Sequence, residues 1–282
     1  MKKCPRCDSE KFWSLPTGQR RCSQCGLAGK ALKTLWRLTR ISSYGKGRPG
    51  EFFCLGVPAY RFRFQARRTS GTGGSPITGP DFCNRDLHEV TSEWKQYTSY
   101  FVAPASGDFC PLRLGQWEAE GIIEFDDVSL VRAEPVYRRH NGIALGDGEH
   151  ISGDIYTFTA PLTGASANHA RPLQSQDCFF NKPRWVFTQG NWVVYRHEIN
   201  EVMQRSAEVE VSVGYHAGGT LVVEASTDGD SWVRVETLDA LGTIHIPLPA
   251  SLFPANAVFV RFTVMPSERS DAPIHLQIYG YT

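Results

Sequence analysis

The hydrophobic and polar positions of the chain follow two different periods. From Tyr60 to Arg67 they alternate strictly, with Tyr60, Phe62, Phe64 and Ala66 on one side and Arg61, Arg63, Gln65 and Arg67 on the other. A period of two marks a half-buried strand of an antiparallel sheet. Further strands are predicted at 96–102, 111–117 and 121–131, with a Gly/Ser/Thr/Pro loop over 69–80. Beyond residue 141, strands are predicted at 154–160, 192–199, 207–215, 220–226, 231–236, 257–265 and 274–281. Short strands separated by turn residues predict β-sandwiches. Residues 29–41 read instead as a helix, with Leu32, Leu35, Trp36 and Leu38 as an apolar stripe and Lys30, Lys33, Arg37 and Arg40 on one face. Residues 42–50 read as a linker by their Ser, Gly and Pro content.

Size and composition set the frame for this pattern. The chain has 282 residues, 41% hydrophobic and 21% charged. That is enough for two domains with buried cores and too apolar for wholesale disorder. There is no run of 18 apolar residues, so no membrane span is expected. The start, Met1-Lys2-Lys3-Cys4, carries no apolar signal region, which favours a cytoplasmic location. The net charge of +1 hides a split, because residues 1–48 carry +10 and the remainder −9. A basic arm on an acidic body points to nucleic acid or an anionic surface, or to a solvated tail. The basic face of the predicted helix poses the same choice between phosphate contact and the wet side of a packed helix.

Cysteines separate the arm from the body. Cys4 and Cys7 form one CxxC pair, Cys22 and Cys25 a second, with 14 residues between them. Each pair turns tightly enough to aim two thiolates at one ion, and the gap is long enough for a hairpin that brings the pairs together. Four soft ligands in a tetrahedron suit Zn2+ in a closed, structural site. The pattern resembles the zinc ribbons over residues 1–28, and the alternative is a pair of disulfides or metal-free thiols. Lys2, Lys3, Arg6, Arg20 and Arg21 would offset the negative charge of such a site. Cys54, Cys83, Cys110 and Cys178 are not metal-spaced and read as buried thiols.

Two stretches of the body carry a family likeness. Tyr60 to Ala66, Trp94, Phe101, Pro104, Leu112-Arg113-Leu114 and Gly121 to Leu130, closing on Phe125-Asp126-Asp127-Val128-Ser129-Leu130, resemble the later strands of jelly-roll carbohydrate-binding modules of the CenC type. The likeness covers residues 50–132, less than the usual length of that family. It implies a structural role for Trp94 in the core and, through Asp126 or Asp127, a Ca2+ site. Val222 to Trp232 and Ala257 to Phe262, with the final Ile274 to Thr282, resemble discoidin-like, galactose-binding-like sandwiches over residues 190–282, with Trp232 in the core.

Sugar rings stack their C–H faces on aromatic rings, and their hydroxyls pair with planar groups such as Arg, Asn, Asp and Gln. Arg61, Arg63, Gln65, Arg113 and Trp117 form one candidate face of this kind; otherwise Trp117 packs under a loop and the arginines are solvated. The stretch from 168 to 198 mixes Asn168, His169, Arg171, Asn181, Arg184, Trp185, Trp192, Tyr195, Arg196, His197 and Glu198, and supplies Arg171, Trp185, Trp192 and Arg196 as further candidates. No nucleophile elbow, zinc-protease helix or phosphate loop is present. Asp126 and Asp127 are adjacent on a predicted strand, so they should face opposite ways and cannot flank one glycosidic bond.

The sequence therefore predicts an all-β protein. A zinc ribbon (1–28) and a basic helix with linker (29–50) are followed by two antiparallel β-sandwich modules of jelly-roll, galactose-binding-like type (51–134 and 141–282). Its expected function is non-catalytic binding of a polysaccharide or other glycan. The alternative is a nucleic-acid-associated protein that makes contact through residues 1–48.

Overall fold

The computed structural model describes residues 12–14, 20–22 and 59–282, apart from 73–75, 88–89, 107–111, 116–120, 165, 167 and 268–272. β1 (Phe12–Ser14) and β2 (Arg20–Cys22) form an antiparallel hairpin with Phe12 opposite Cys22. Cys4, Cys7, Cys25, the side chain of Cys22, the predicted helix and linker, Cys54, Cys110 and Trp117 lie outside the described residues.

From Ala59 onward the chain is a succession of strands. The first group is β3 (Ala59–Ser70), β4 (Ile77–Pro80), β5 (Cys83–Asp86), β6 (Lys95–Val102), β7 (Leu112–Leu114) and β8 (Ile122–Ala133). Two short hairpins follow, β9 (Arg138–His140) with β10 (Ile143–Leu145), and β11 (Glu149–Ser152) with β12 (Ile155–Phe158). The last group is β13 (Leu173–Asp177), β14 (Phe179–Asn181), β15 (Arg184–Phe187), β16 (Trp192–Glu198), β17 (Glu208–Gly218), β18 (Thr220–Ser226), β19 (Val233–Leu238), β20 (Gly242–Pro247), β21 (Ala257–Met265) and β22 (His275–Tyr281). The described body is all-β, and the predicted strands at 220–226 and 257–265 match β18 and β21 end to end.

Three sheets build the body: β6-β3-β8, β13-β16-β21-β18-β19, and an eight-stranded sheet β20-β17-β22-β15-β14-β5-β4-β7. Alternation in β3 turns Phe62, Phe64 and Ala66 inward, all at most 2% exposed. Each large ring so buried contributes about 2–3 kcal/mol. The three-stranded sheet packs this side toward Cys83, Leu112 and Leu114 at one end of the eight-stranded sheet, with Phe101 edge-on to Phe82. The five-stranded sheet packs at the other end, where Tyr195 and Phe262 meet Tyr281. The eight-stranded sheet is therefore a common back layer for two sandwiches.

That back layer runs across residues 134–141. β5 pairs in parallel with β14, Cys83 beside Phe180 and Asn84 beside Asn181, and a single apolar cluster spans both segments. Asn168 fastens the join, because its amide accepts from Val102 N–H at 2.8 Å and donates to Val102 O at 2.9 Å. Buried Gln176 also donates to Val102 O, at 3.2 Å. These bonds satisfy the end of β6, whose backbone would otherwise be buried without partners.

The loop predicted over 69–80 is strand from Ile77 onward. Thr78-Gly79-Pro80 reads as a turn, but Gly79 has φ +107, and a Cβ there would sit 2.5 Å from Cys83 O. Glycine lets β4 close against β5. Trp94, expected in the core, is 39% exposed under the Arg67 guanidinium, because it precedes β6 on the outward parity. Trp232, also expected in the core, is half-buried beneath Arg261, 4.1 Å from its ring centroid. Asp126 and Asp127 do not alternate across β8. A β-bulge between Arg63 and Gln65 sets Asp126 opposite Gln65 and puts Asp127, at φ 47, with Val128 against the single residue Phe64, and both carboxylates are exposed. Cys83 and Cys178 are buried, as expected.

Candidate functional site

The outer face of β6-β3-β8 gathers the side chains that alternation turns away from the core. Register fixes its rows. Arg61 lies between Tyr100 and Val131, Arg63 between Thr98 and Ser129, and Gln65 between Gln96 and Asp126. Arg67 closes the series, paired with Glu124 on β8 and stacked on Trp94, 4.7 Å from its ring centroid. Strand rise places Trp94 and Tyr100 about 20 Å apart, and two strand spacings give the face a width of about 10 Å. The result is a shallow strip with an exposed ring at each end and planar polar groups between.

The electrostatics of the strip are balanced. Arg67 donates to Glu124 from Nε at 2.8 Å and pairs through Nη2 at 2.8 Å. Arg63 Nη2 stands 3.7 Å from Asp127 Oδ2. Asp126 accepts the Asp127 N–H at 2.8 Å, which stabilises the bulge. The Nε atoms of Arg61 and Arg63 are buried without a hydrogen-bond partner. Among the described residues no group of three or more His, Cys, Asp or Glu gathers as a metal-ligand set.

Of the residues predicted from sequence, Arg61, Arg63 and Gln65 lie on this strip. Arg113 lies on the outer face of the eight-stranded sheet, paired with Asp81 at 2.8 Å. Trp192 and Arg196 lie on the outer face of the five-stranded sheet, where Arg196 pairs with Glu198 at 2.8 Å beside an open depression of about 540 Å³. Trp185 is not a surface ring. It is 1% exposed, and its indole N–H donates to Tyr195 Oη at 3.0 Å, because β15 turns Trp185 and Phe187 inward and Arg184 and Val186 outward. Arg171 does not join either surface. Its guanidinium is committed to Glu149 through Nε at 2.7 and 2.8 Å and Nη2 at 2.5 Å. Sequence reasoning missed Trp94, Tyr100 and Gln96 as members of the strip; their common parity in and before β6 was the available signal.

The Glu149–Arg171 pair anchors a buried polar chain. Tyr156 donates to Glu149 at 2.7 Å and stands 3.5 Å from His197 Nδ1, whose Nε2 is 2.6 Å from Tyr281 Oη. Burial is the main cause that holds the His197 pKa down to about 4; the Arg171 charge adds to it and the Glu149 charge opposes it. The unfolded chain therefore takes up a proton as pH falls through about 6.5, and the folded chain does not until about 4. Stability is full above this window and declines as pH drops through it, by at most about 3 kcal/mol. Urea unfolding at both ends of the window tests this, and an equal midpoint at both pH values refutes it.

No family model matches this chain. No curated protein matches it either. Among solved structures, it is similar to a mutant of the family 29 carbohydrate-binding module CBM29-2, at 10% identity and TM-score 0.30 over 44% of this chain and 82% of that one. It is also similar to the CBM22 tandem domain of Paenibacillus barcinonensis Xyn10C, at 11% identity and TM-score 0.25 over 80% of this chain and 78% of that one. Allantoicase from Saccharomyces cerevisiae is a further likeness, at 10% identity and TM-score 0.21 over 80% of this chain and 74% of that one.

Proposed function

We propose that the outer face of β6-β3-β8 binds a neutral polysaccharide without cleaving it. The observation that carries this reading is the strip itself, with Trp94 and Tyr100 at its ends and Arg61, Arg63, Gln65, Gln96 and Asp126 between them in fixed register. Rings supply flat apolar surface to sugar C–H faces, and guanidinium and amide groups supply paired hydrogen bonds to vicinal hydroxyls. A strip about 20 Å long takes several sugar units of one extended chain. Three arginines facing Glu124, Asp126 and Asp127 leave it no net charge to prefer an anion.

Affinity electrophoresis of the whole chain against a panel of neutral polysaccharides tests this. Retardation that persists from low to high salt is the expected result. Contacts to phosphates would weaken steeply with salt. Retardation by nucleic acid alone would remove the reading.

The same reading keeps Cys4, Cys7, Cys22 and Cys25 as a structural Zn2+ site. Its support is the β1–β2 hairpin, which turns the chain back between the two cysteine pairs. Elemental analysis is expected to find stoichiometric zinc in protein purified without added metal and none in Cys4→Ser/Cys25→Ser. Wild-type protein free of zinc would eliminate the site.

A further inference from the structure

The outer face of the eight-stranded sheet has a character that the first strip lacks. Trp185, Phe187, Leu276 and Ile278 face the core, so Arg184, Gln277 and Tyr279 face outward. Asn84 lies beside Asn181, and Asn181 lies opposite Arg184, so three planar polar groups form one line across β5, β14 and β15. Tyr279 continues it. Its ring lies over the bare backbone of Gly214, where a Cβ would stand only 2.5 Å from the ring. Tyr279 is 41% exposed, its hydroxyl donates to Gln277 Oε1 at 3.1 Å, and the Arg184 guanidinium stands 5.5 Å from the ring centroid. Phe179 and Tyr215 are exposed on the next line, which runs Phe179, Val186, Gln277, Tyr215.

Charge separates this face from the first. Arg184 makes no ion pair among the described residues, and its Nε is buried without a hydrogen-bond partner. Lys182 stands in the turn between β14 and β15, also without an ion pair among the described residues. Burial and the neighbouring Arg85 charge hold its ammonium pKa below the usual value. Asp81, the acid beside the line, is already bound to Arg113 at 2.8 Å. Arg184 therefore has no anionic partner among the described residues, and a carboxylate on this face would supply one.

We propose that the outer face of the eight-stranded sheet is a second carbohydrate site that takes an acidic polysaccharide, with a sugar ring on Tyr279 and its carboxylate on Arg184. The site shares no residue with the strip on β6-β3-β8 and stands or falls separately from it. The strip lies on the outer face of the three-stranded sheet and this line on the outer face of the back layer that both sandwiches share, so one chain would hold a neutral and an acidic polymer together. Binding through two sites on separate polymers crosslinks them.

The test uses the whole chain with polygalacturonate and with the same polymer after reduction of its carboxylates to alcohols. Calorimetry at low salt is expected to show binding to the first and at least a tenfold weaker interaction with the second. Arg184→Gln and Tyr279→Ala should each lose about tenfold toward polygalacturonate, while Trp94→Ala/Tyr100→Ala keeps wild-type affinity for it. Unchanged melting of Arg184→Gln, an outward substitution, shows that the loss is local. Equal binding of both polymers, no binding of polygalacturonate, or loss confined to the Trp94/Tyr100 variant would overturn the site. So would sedimentation showing that this face is covered by a second copy of the chain. Failure of the neutral panel alongside success here would refute the first strip and leave this face standing.

Discussion

Replacing Trp94 and Tyr100 together by alanine is expected to weaken neutral-polysaccharide binding about a hundredfold with no loss of fold. Each ring is an exposed platform, 39% and 37% accessible, at one end of the strip. An aromatic contact of this kind is worth about 1–1.5 kcal/mol, close to a factor of ten in affinity. The rings are about 20 Å apart along one strand direction, so their losses should add. Tyr100→Phe keeps the ring and should bind nearly as the wild type does. Trp94→Phe should fall between, since a smaller ring covers less of a sugar. Arg63→Ala removes a donor from the middle and should act on affinity without changing the melting temperature. Titration calorimetry with the best polysaccharide from the panel measures all four. Wild-type affinity in the double alanine variant would remove the strip as the site.

The elements that the sequence made legible are those whose own side chains carry the period. β3, β18 and β21 alternate or run apolar by themselves, and they form wherever a core is offered. β4, β5 and β14 have three or four residues and no pattern of their own. They are strands because long-range partners complete their hydrogen bonds, as β14 does for β5. No local window contains that information. The same division holds for the sites. Arg63 and Gln65 were legible because they share the outward parity of β3. Trp94 was misplaced because a resemblance outweighed parity, although Gln96, Thr98 and Tyr100 all lie two, four and six residues beyond it on the outward side. Trp185 was misplaced for the opposite reason. Its ring chemistry suggested a platform, while the sequence Arg184-Trp185-Val186-Phe187 already alternates with both large rings on one side. Arg171 could not be read at all, because its partner Glu149 is set by the fold and not by spacing.

That pair yields the largest expected effect on stability. The Glu149 side chain is fully buried and that of Arg171 is 19% exposed. The carboxylate also accepts Gly146 N–H at 2.5 Å and the Tyr156 hydroxyl at 2.7 Å, and Arg171 donates to Glu198 O at 3.2 Å. The pair thus ties β11 and β12 to the strand end of β16. Arg171→Ala leaves a buried carboxylate without its cation and should cost about 3–5 kcal/mol. Removing both charges is a different perturbation, because no ion is then left unmatched in a region of low polarity. Glu149→Leu/Arg171→Met should therefore recover most of that loss, although Gly146 N–H and the Tyr156 hydroxyl lose an acceptor at about 1 kcal/mol each. Polysaccharide affinity of the double variant should be unchanged, since neither residue touches either outer face. Chemical denaturation of the single and double variants measures the coupling. A double variant no more stable than Arg171→Ala would mean that the packing of the arginine stem, rather than the charge pair, supports this corner.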